Sequence, residues 1–290
     1  MKSFCKANHF VRSSAIFLIF LFFNFTAHAE DVSKKLSNYV SNLIPGEGTT
    51  EVSIDIRENY KPDYSILAVR ELSTIKDGNI FTQVSLFNTE KNNEERLIAN
   101  FGLGSRKLLN NNTLLAGVNA FIDNDFNETT RRASLGLELK NAVLDFHSNM
   151  YAGIDDSTDE QVMDGWDYTL ASQVPYLHWS KLFVSHYEWD GILRADVKGT
   201  KVGSEMILNP SVNLEFAYDD KDRKGLDDEW YAKIQFVHPP RNNGPTAMDG
   251  ISDTAWNKNK DMSDELLSKV KRNNKIMIEF KGISTITRAD

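Results

Sequence analysis

Over much of this chain, apolar and polar residues trade places one by one. Ala133, Leu135, Leu137 and Leu139 alternate with Arg132, Ser134, Gly136, Glu138 and Lys140. Leu97, Ala99, Phe101 and Leu103 alternate with Ile98, Asn100, Gly102 and Gly104. The same rhythm carries Val212, Leu214, Phe216 and Tyr218, and then Trp230, Ala232, Ile234 and Phe236. A helix would scatter each set around its axis, whereas a strand places it on one face. Further strand-like runs cover 51–57, 64–72, 78–87, 113–122, 142–152, 165–173, 181–189 and 201–208. Turn-forming residues separate them at Lys76-Asp77-Gly78, Asn110-Asn111-Asn112, Asn124-Asp125, Asp155-Asp156 and Asp219-Asp220-Lys221-Asp222. The spacing predicts about twelve antiparallel strands between Glu51 and His238.

Two architectures share this pattern. A soluble β-rich fold turns its apolar set inward, and an outer-membrane barrel turns it outward against lipid. The polar set holds Arg132, Glu138, Lys140, Asp145, His147, Asn100, Asn119, Lys233 and Gln235, with charges of both signs. The apolar set includes small residues such as Ala99, Ala116 and Ala120, which lipid tolerates better than a dry core does. Aromatics near predicted strand ends, at Trp166, Tyr168, Trp189, Tyr218 and Trp230, match interfacial girdles. A closed barrel also leaves no unpaired backbone group facing hydrocarbon. The expected fold is therefore all-β: an antiparallel transmembrane barrel over residues 51–240, with a loop, short helix and linker over 241–290.

The N-terminus places the chain outside the cytoplasm. Lys2, Lys6 and Arg12 precede an apolar run from Ala15 to Phe25, followed by Ala27-His28-Ala29. Basic, apolar and A-x-A regions in this order read as a signal peptide over 1–29, cleaved after Ala29. Cleavage removes Cys5, the only cysteine, so neither a disulfide framework nor a thiolate site is expected in the mature chain. Residues 30–50 read as a periplasmic segment whose Val32, Leu36, Val40 and Leu43 form a short amphipathic helix. The net charge of −8 argues against nucleic acid as a partner. A mean hydropathy of −0.41 excludes a polytopic helical membrane protein.

Particular residues now resemble a known family. Asn100-Phe101-Gly102-Leu103-Gly104-Ser105-Arg106, followed one strand later by Phe121-Ile122-Asp123-Asn124-Asp125, is similar to the β-domain of the intimin/invasin family, the inverse autotransporters. The likeness continues through Gly165-Trp166 and resumes at Val270-Lys271-Arg272-Asn273-Asn274 near the C-terminus. The resemblance implies a twelve-stranded outer-membrane barrel whose C-terminal motif follows a helix threading the pore, with a passenger carried to the cell surface. Family members also have a periplasmic peptidoglycan-binding module and immunoglobulin-like passenger domains. Residues 30–50 are too few for the first, and only ten residues follow Phe280, so the family's adhesive role is not carried over.

The residues themselves add detail. Gly102, Gly104 and Gly117 share one face, where they either clear a lumen or mark bulges. Asp123, Asn124 and Asp125 read as a hairpin turn. Residues 261–272 read as a helix capped by Asp261 or Ser263, with Asp264 and Glu265 in its first turn and Lys269, Lys271 and Arg272 in its last. Met262, Leu266, Leu267 and Val270 supply its apolar stripe.

No enzyme is expected. His147, His178, His186 and His238 are scattered, and the adjacent Ser185 and His186 point to opposite faces of a strand. No cofactor or metal-ligand spacing is present. Expected partners are outer-membrane lipid and lipopolysaccharide, the barrel-assembly machinery, and a separately encoded secreted passenger. A cargo-free structural or channel-like barrel and a soluble exported β-rich binding protein remain as alternatives.

Overall fold

The computed structural model describes Lys35 and residues 45–281, apart from 59, 92–93, 223–227, 243 and 258–259. The predicted signal peptide with its cleavage at Ala29, nearly all of the predicted 31–44 helix, and residues 282–290 lie outside the described residues.

In chain order the strands are β1 (Gly48–Arg57), β2 (Asp63–Ile75), β3 (Gly78–Lys91), β4 (Glu94–Leu109), β5 (Leu114–Asp125), β6 (Arg131–Asn141) and β7 (Leu144–Asp155). They continue with β8 (Glu160–Val162), β9 (Gly165–Val174), β10 (Leu177–Trp189), β11 (Val197–Asn209), β12 (Val212–Lys221), β13 (Glu229–His238) and β14 (Ile278–Phe280). Among the described residues, all but β8 and β14 form one closed antiparallel barrel of twelve strands, sealed where β1 pairs with β13 from Thr50–His238 to Arg57–Tyr231. β8 and β14 form a separate two-stranded sheet. The barrel begins at Gly48, three residues before the predicted boundary.

Strand parity sets the direction of every side chain. On β4 the odd residues Leu97, Phe101 and Leu103 are exposed, while the even residues Arg96, Asn100 and Arg106 are buried. On β6, Leu135, Leu137 and Leu139 are exposed, whereas Arg132, Glu138 and Lys140 are buried. The oily side thus faces outward around a polar interior. That excludes the soluble alternative, in which Leu135 would not stand 67% exposed over a buried Arg132.

Aromatics gather on the outer face at one rim. Trp166 stacks on Tyr168, His186 leans against both, and Trp230 packs on Phe216 and Tyr218. Trp189 departs from the expected girdle. Its parity on β10 turns it inward, where it is buried against Tyr151.

The two mouths differ. Short connections at 76–77, 110–113, 142–143, 175–176 and 210–211 join strands at one mouth. Asp77 and Asn110, Asn111 and Asn112 take positive φ there, as tight turns require. Longer connections at 126–130, 156–164 and 190–196 crown the other. After β13 the chain follows the short-turn rim, where Trp179 Nε1 donates to the Gly250 carbonyl and the Asn257 amide donates to Gln173. It then enters the lumen at Met262, whose amide donates to Asn112 O at 2.8 Å. It leaves at Lys281, whose amide donates to Asp159 O, also at 2.8 Å, among the long loops.

Candidate functional site: a lumen built around its own C-terminal segment

The lumenal wall is shaped by glycines opposite rings. A Cβ at Gly102 would stand 2.2 Å from the Phe121 ring, and one at Gly104 would stand 2.4 Å from the Phe81 ring. Without those atoms the rings lie flat on the wall and present their faces inward. Arg272 of the threaded segment sits 4.4 Å over Phe121, and Arg106 sits 4.3 Å over Phe81. Strand register runs unbroken through Gly102, Gly104 and Gly117. Of the two readings left open by the sequence they follow the lumenal one and mark no bulge, and the space they leave is filled by wall side chains that grip the thread.

Above the entry, wall side chains take over the backbone of the thread. Arg106 is held by Glu138, with Nε to Oε1 at 2.5 Å, and both side chains are fully buried. Its Nη1 donates to the carbonyls of Leu266 and Ser268 at 2.9 and 2.6 Å. Asn79 also donates to Leu266 O, Thr49 donates to Leu267 O, and the Val270 amide donates to Gln83 Oε1 at 2.8 Å. These bonds correct the predicted helix. The carbonyls an α-helix over 261–272 would use internally are bound by the wall, and only a single 3-10 turn, Ser263–Glu265, forms. The predicted apolar stripe still finds wall partners. Met262 and Leu266 pack on Leu108 and Leu115, and Leu267 and Val270 on Leu67, Val69, Phe81 and Phe121.

Midway through the lumen, two guanidinium groups share one carboxylate. Asp123 accepts from Arg132 Nε of β6 at 2.8 Å and from Arg272 Nη2 of the thread at 2.7 Å, and all three side chains are fully buried. Arg132 also donates to the carbonyls of Asn273 and Lys275. Asn100 donates to Asp123 and to Asn274 O. The Asn273 amide donates to the Tyr151 hydroxyl at 2.8 Å. Around this centre the thread's lysines reach three other walls: Lys269 to Glu51 at 2.7 Å, Lys271 to Glu205 at 2.5 Å and Lys275 to Asp63 at 2.5 Å.

Apolar layers close the long-loop mouth. Ile276 and Ile278 pack with Phe87, Ile98 and Val162, and Met277 packs on the cluster of Tyr151, Met163, Tyr187, Trp189 and Val197. β14 then pairs with β8, Ile278 facing Val162 and Phe280 facing Glu160. Arg96 holds Glu160 from below in a buried pair, and the Glu279 carboxylate accepts the amides of Ile192 and Leu193.

The residues singled out in sequence therefore divide by face. Asn100, Gly102, Phe121 and Asp123 gather around the thread residues Arg272 and Asn274. Gly104 and Arg106 lie by Phe81, where Arg106 holds the thread at Leu266 and Ser268. Asn273 is held by Arg132 and Tyr151. Asp125 also points inward but serves the loop end, accepting from Arg96 and from the amide of Asn127. Phe101 and Trp166 face outward, and Asn124 accepts from Arg131 on the outer side. Gly165 lies against Trp189, which a Cβ there would meet at 2.5 Å. The predicted hairpin turn at 123–125 is in fact the end of β5, because Asp123 pairs with Arg132 on β6 and Arg272 in the lumen, and Asp125 with Arg96 on β4. Glu51, Asp63, Tyr151 and Glu205 were not singled out. Their one local signal is a polar or hydroxyl-bearing side chain at the inward parity of its strand.

Fold and site together define an outer-membrane β-barrel whose own C-terminal segment fills the lumen. Residues 24–274 match the family model described as inverse autotransporter, beta-domain, and the chain belongs to that family. No curated protein matches it. Among solved structures, one described as "Unveiling the Mechanism Behind the in-meso Crystallization of Membrane Proteins" is 21% identical, with a TM-score of 0.64 over 81% of this chain and 99% of that one. Another, "KdgM porin in complex with disordered oligogalacturonate", is 6% identical, with a TM-score of 0.46 over 65% of this chain and 98% of that one.

Proposed function

We propose that this barrel is a translocator that carries polypeptide joined to its C-terminal segment to the outer surface of the cell and holds it there. The observation behind this reading is the path of residues 262–281, which enter at the short-turn mouth and emerge among the long loops. In outer-membrane barrels short turns face the periplasm and long loops face outward. A chain continuing past Lys281 is then delivered outside. The transport is a matter of path and fit, with a polar lumen and extended backbone in place of chemical catalysis. Export through the inner membrane by the leader 1–29 belongs to the same reading, and the mature N-terminus is expected at Glu30 by terminal sequencing.

The test is a protease-sensitive tag placed after Asp290. Digestion by protease added to intact cells is expected. A tag protected until the outer membrane is opened would overturn the display reading and favour a barrel without cargo.

A further inference from the structure

We infer that residues Lys269–Lys275 are a register stop: a short cationic sequence that the lumen reads residue by residue, so that the threaded chain rests at one position only. The inference deepens the display reading by naming what halts the chain, and it rests on contacts that exist whether or not cargo follows.

Consecutive thread residues face different walls, and each wall site has its own chemistry. Lys269 meets Glu51 on β1, and Val270 enters the apolar pocket of Leu67, Val69, Phe81 and Phe121. Lys271 crosses to Glu205 on β11, Arg272 meets Asp123 on β5, and Lys275 meets Asp63 on β2. Any short slip breaks this code. Moved outward by one residue, the thread puts Lys269 into the apolar pocket and Val270 against Glu205. Moved outward by two, it puts Ser268 into the pocket and Val270 against Asp123. Moved inward by one or two, it puts Lys271 or Arg272 into the pocket, and Asn273 or Asn274 opposite Asp123. Each alternative strands a buried carboxylate or buries a cation among hydrocarbon, which a closed lumen penalises heavily. The stacking of Arg272 over Phe121 adds shape to charge, because only a flat guanidinium both covers the ring and reaches Asp123. A chain lacking this pattern meets no matching set of sites and passes on.

Cross-linking in the full chain tests the stop. With Cys5→Ser removing the native thiol, Val162→Cys with Ile278→Cys reports the native register, since these residues are paired partners. Val162→Cys with Ile276→Cys reports an outward slip of two residues, and Val162→Cys with Phe280→Cys an inward one. The parent should cross-link through 278 alone. Arg272→Ala should shift the ratio of slipped to native product by at least tenfold, and Arg272→Lys, which keeps the charge and loses the flat face, should restore only part of the native product. Heat-modifiable migration verifies that each barrel is closed. Should Arg272→Ala not assemble, Val270→Ser, which leaves the arginine–aspartate centre untouched, supplies the same readout. Native-register cross-linking at the parental level in a closed Arg272→Ala or Val270→Ser barrel overturns the inference. The tag after Asp290 reads display separately, so a tag that stays protected beside a single-register cross-link would refute display and leave the stop standing.

Discussion

At the scale of single residues, the lumen is made by what glycine lacks as much as by what arginine holds. Gly102→Ala would drive a methyl into the Phe121 ring and unseat the face on which Arg272 rests. Overpacking of this kind costs about 1–3 kcal/mol. The unfolding midpoint of Gly102→Ala in urea should fall accordingly, while Phe101→Leu, one residue away on the lipid face, should leave it nearly unchanged. Arg106→Ala removes the donor to two thread carbonyls and leaves Glu138 buried with less charge opposite it. Losing one partner of a buried pair costs about 3–5 kcal/mol, and the same midpoint measures it. Glycine and arginine were both readable as motif members, and their parity placed them on the inner face. Their pairing with rings and with the thread was not readable, because Asp123 and Arg272 stand 149 residues apart. The turn reading of Asp123-Asn124-Asp125 failed for the same reason: turn propensity is local, and a buried arginine across the lumen outweighs it.

At the scale of elements, alternation identified the strands and divided each into an oily face and a polar one. An outward residue and its inward neighbour should therefore respond differently to charge. Leu137→Arg is expected to destabilise the barrel by about 2–4 kcal/mol near the bilayer centre, measured by unfolding in lipid vesicles. The contact between the end of β12 and Asp228 should respond to acid. The Lys221 amide and the Tyr218 hydroxyl both donate to Asp228, whose carboxyl is held below its ordinary value first by that amide and then by the hydroxyl. A carboxyl depressed in the folded state stabilises it above the unfolded value and loses that contribution as pH falls through the folded one. Hydrogen exchange at the Lys221 amide, referenced to the intrinsic rate at each pH, should show declining protection in that acid range, and Asp228→Asn should abolish the dependence. The predicted helix at 261–272 shows where element reasoning ends. Its caps and stripe are real sequence features, but wall side chains claim its carbonyls and draw the backbone out.

At the scale of the whole molecule, the alternating sequence by itself determined that this chain forms strands, roughly how many there are, and that an oily face opposes a charged one. Those properties repeat every two residues and need no distant partner. The predicted leader, the net charge and the paired motifs on β4 and β5 narrowed the expected class further, each on local grounds. Which way the oily face looks is a property of the closed barrel, which turns Leu135, Leu137 and Leu139 outward and Arg132, Glu138 and Lys140 into the lumen. Only the tertiary structure decided what fills that lumen. The thread's lysines and arginine are spread along seven residues, and the carboxylates that receive them are spread over β1, β2, β5 and β11. Their meeting is a product of barrel circumference and strand stagger, quantities that no short window of sequence contains.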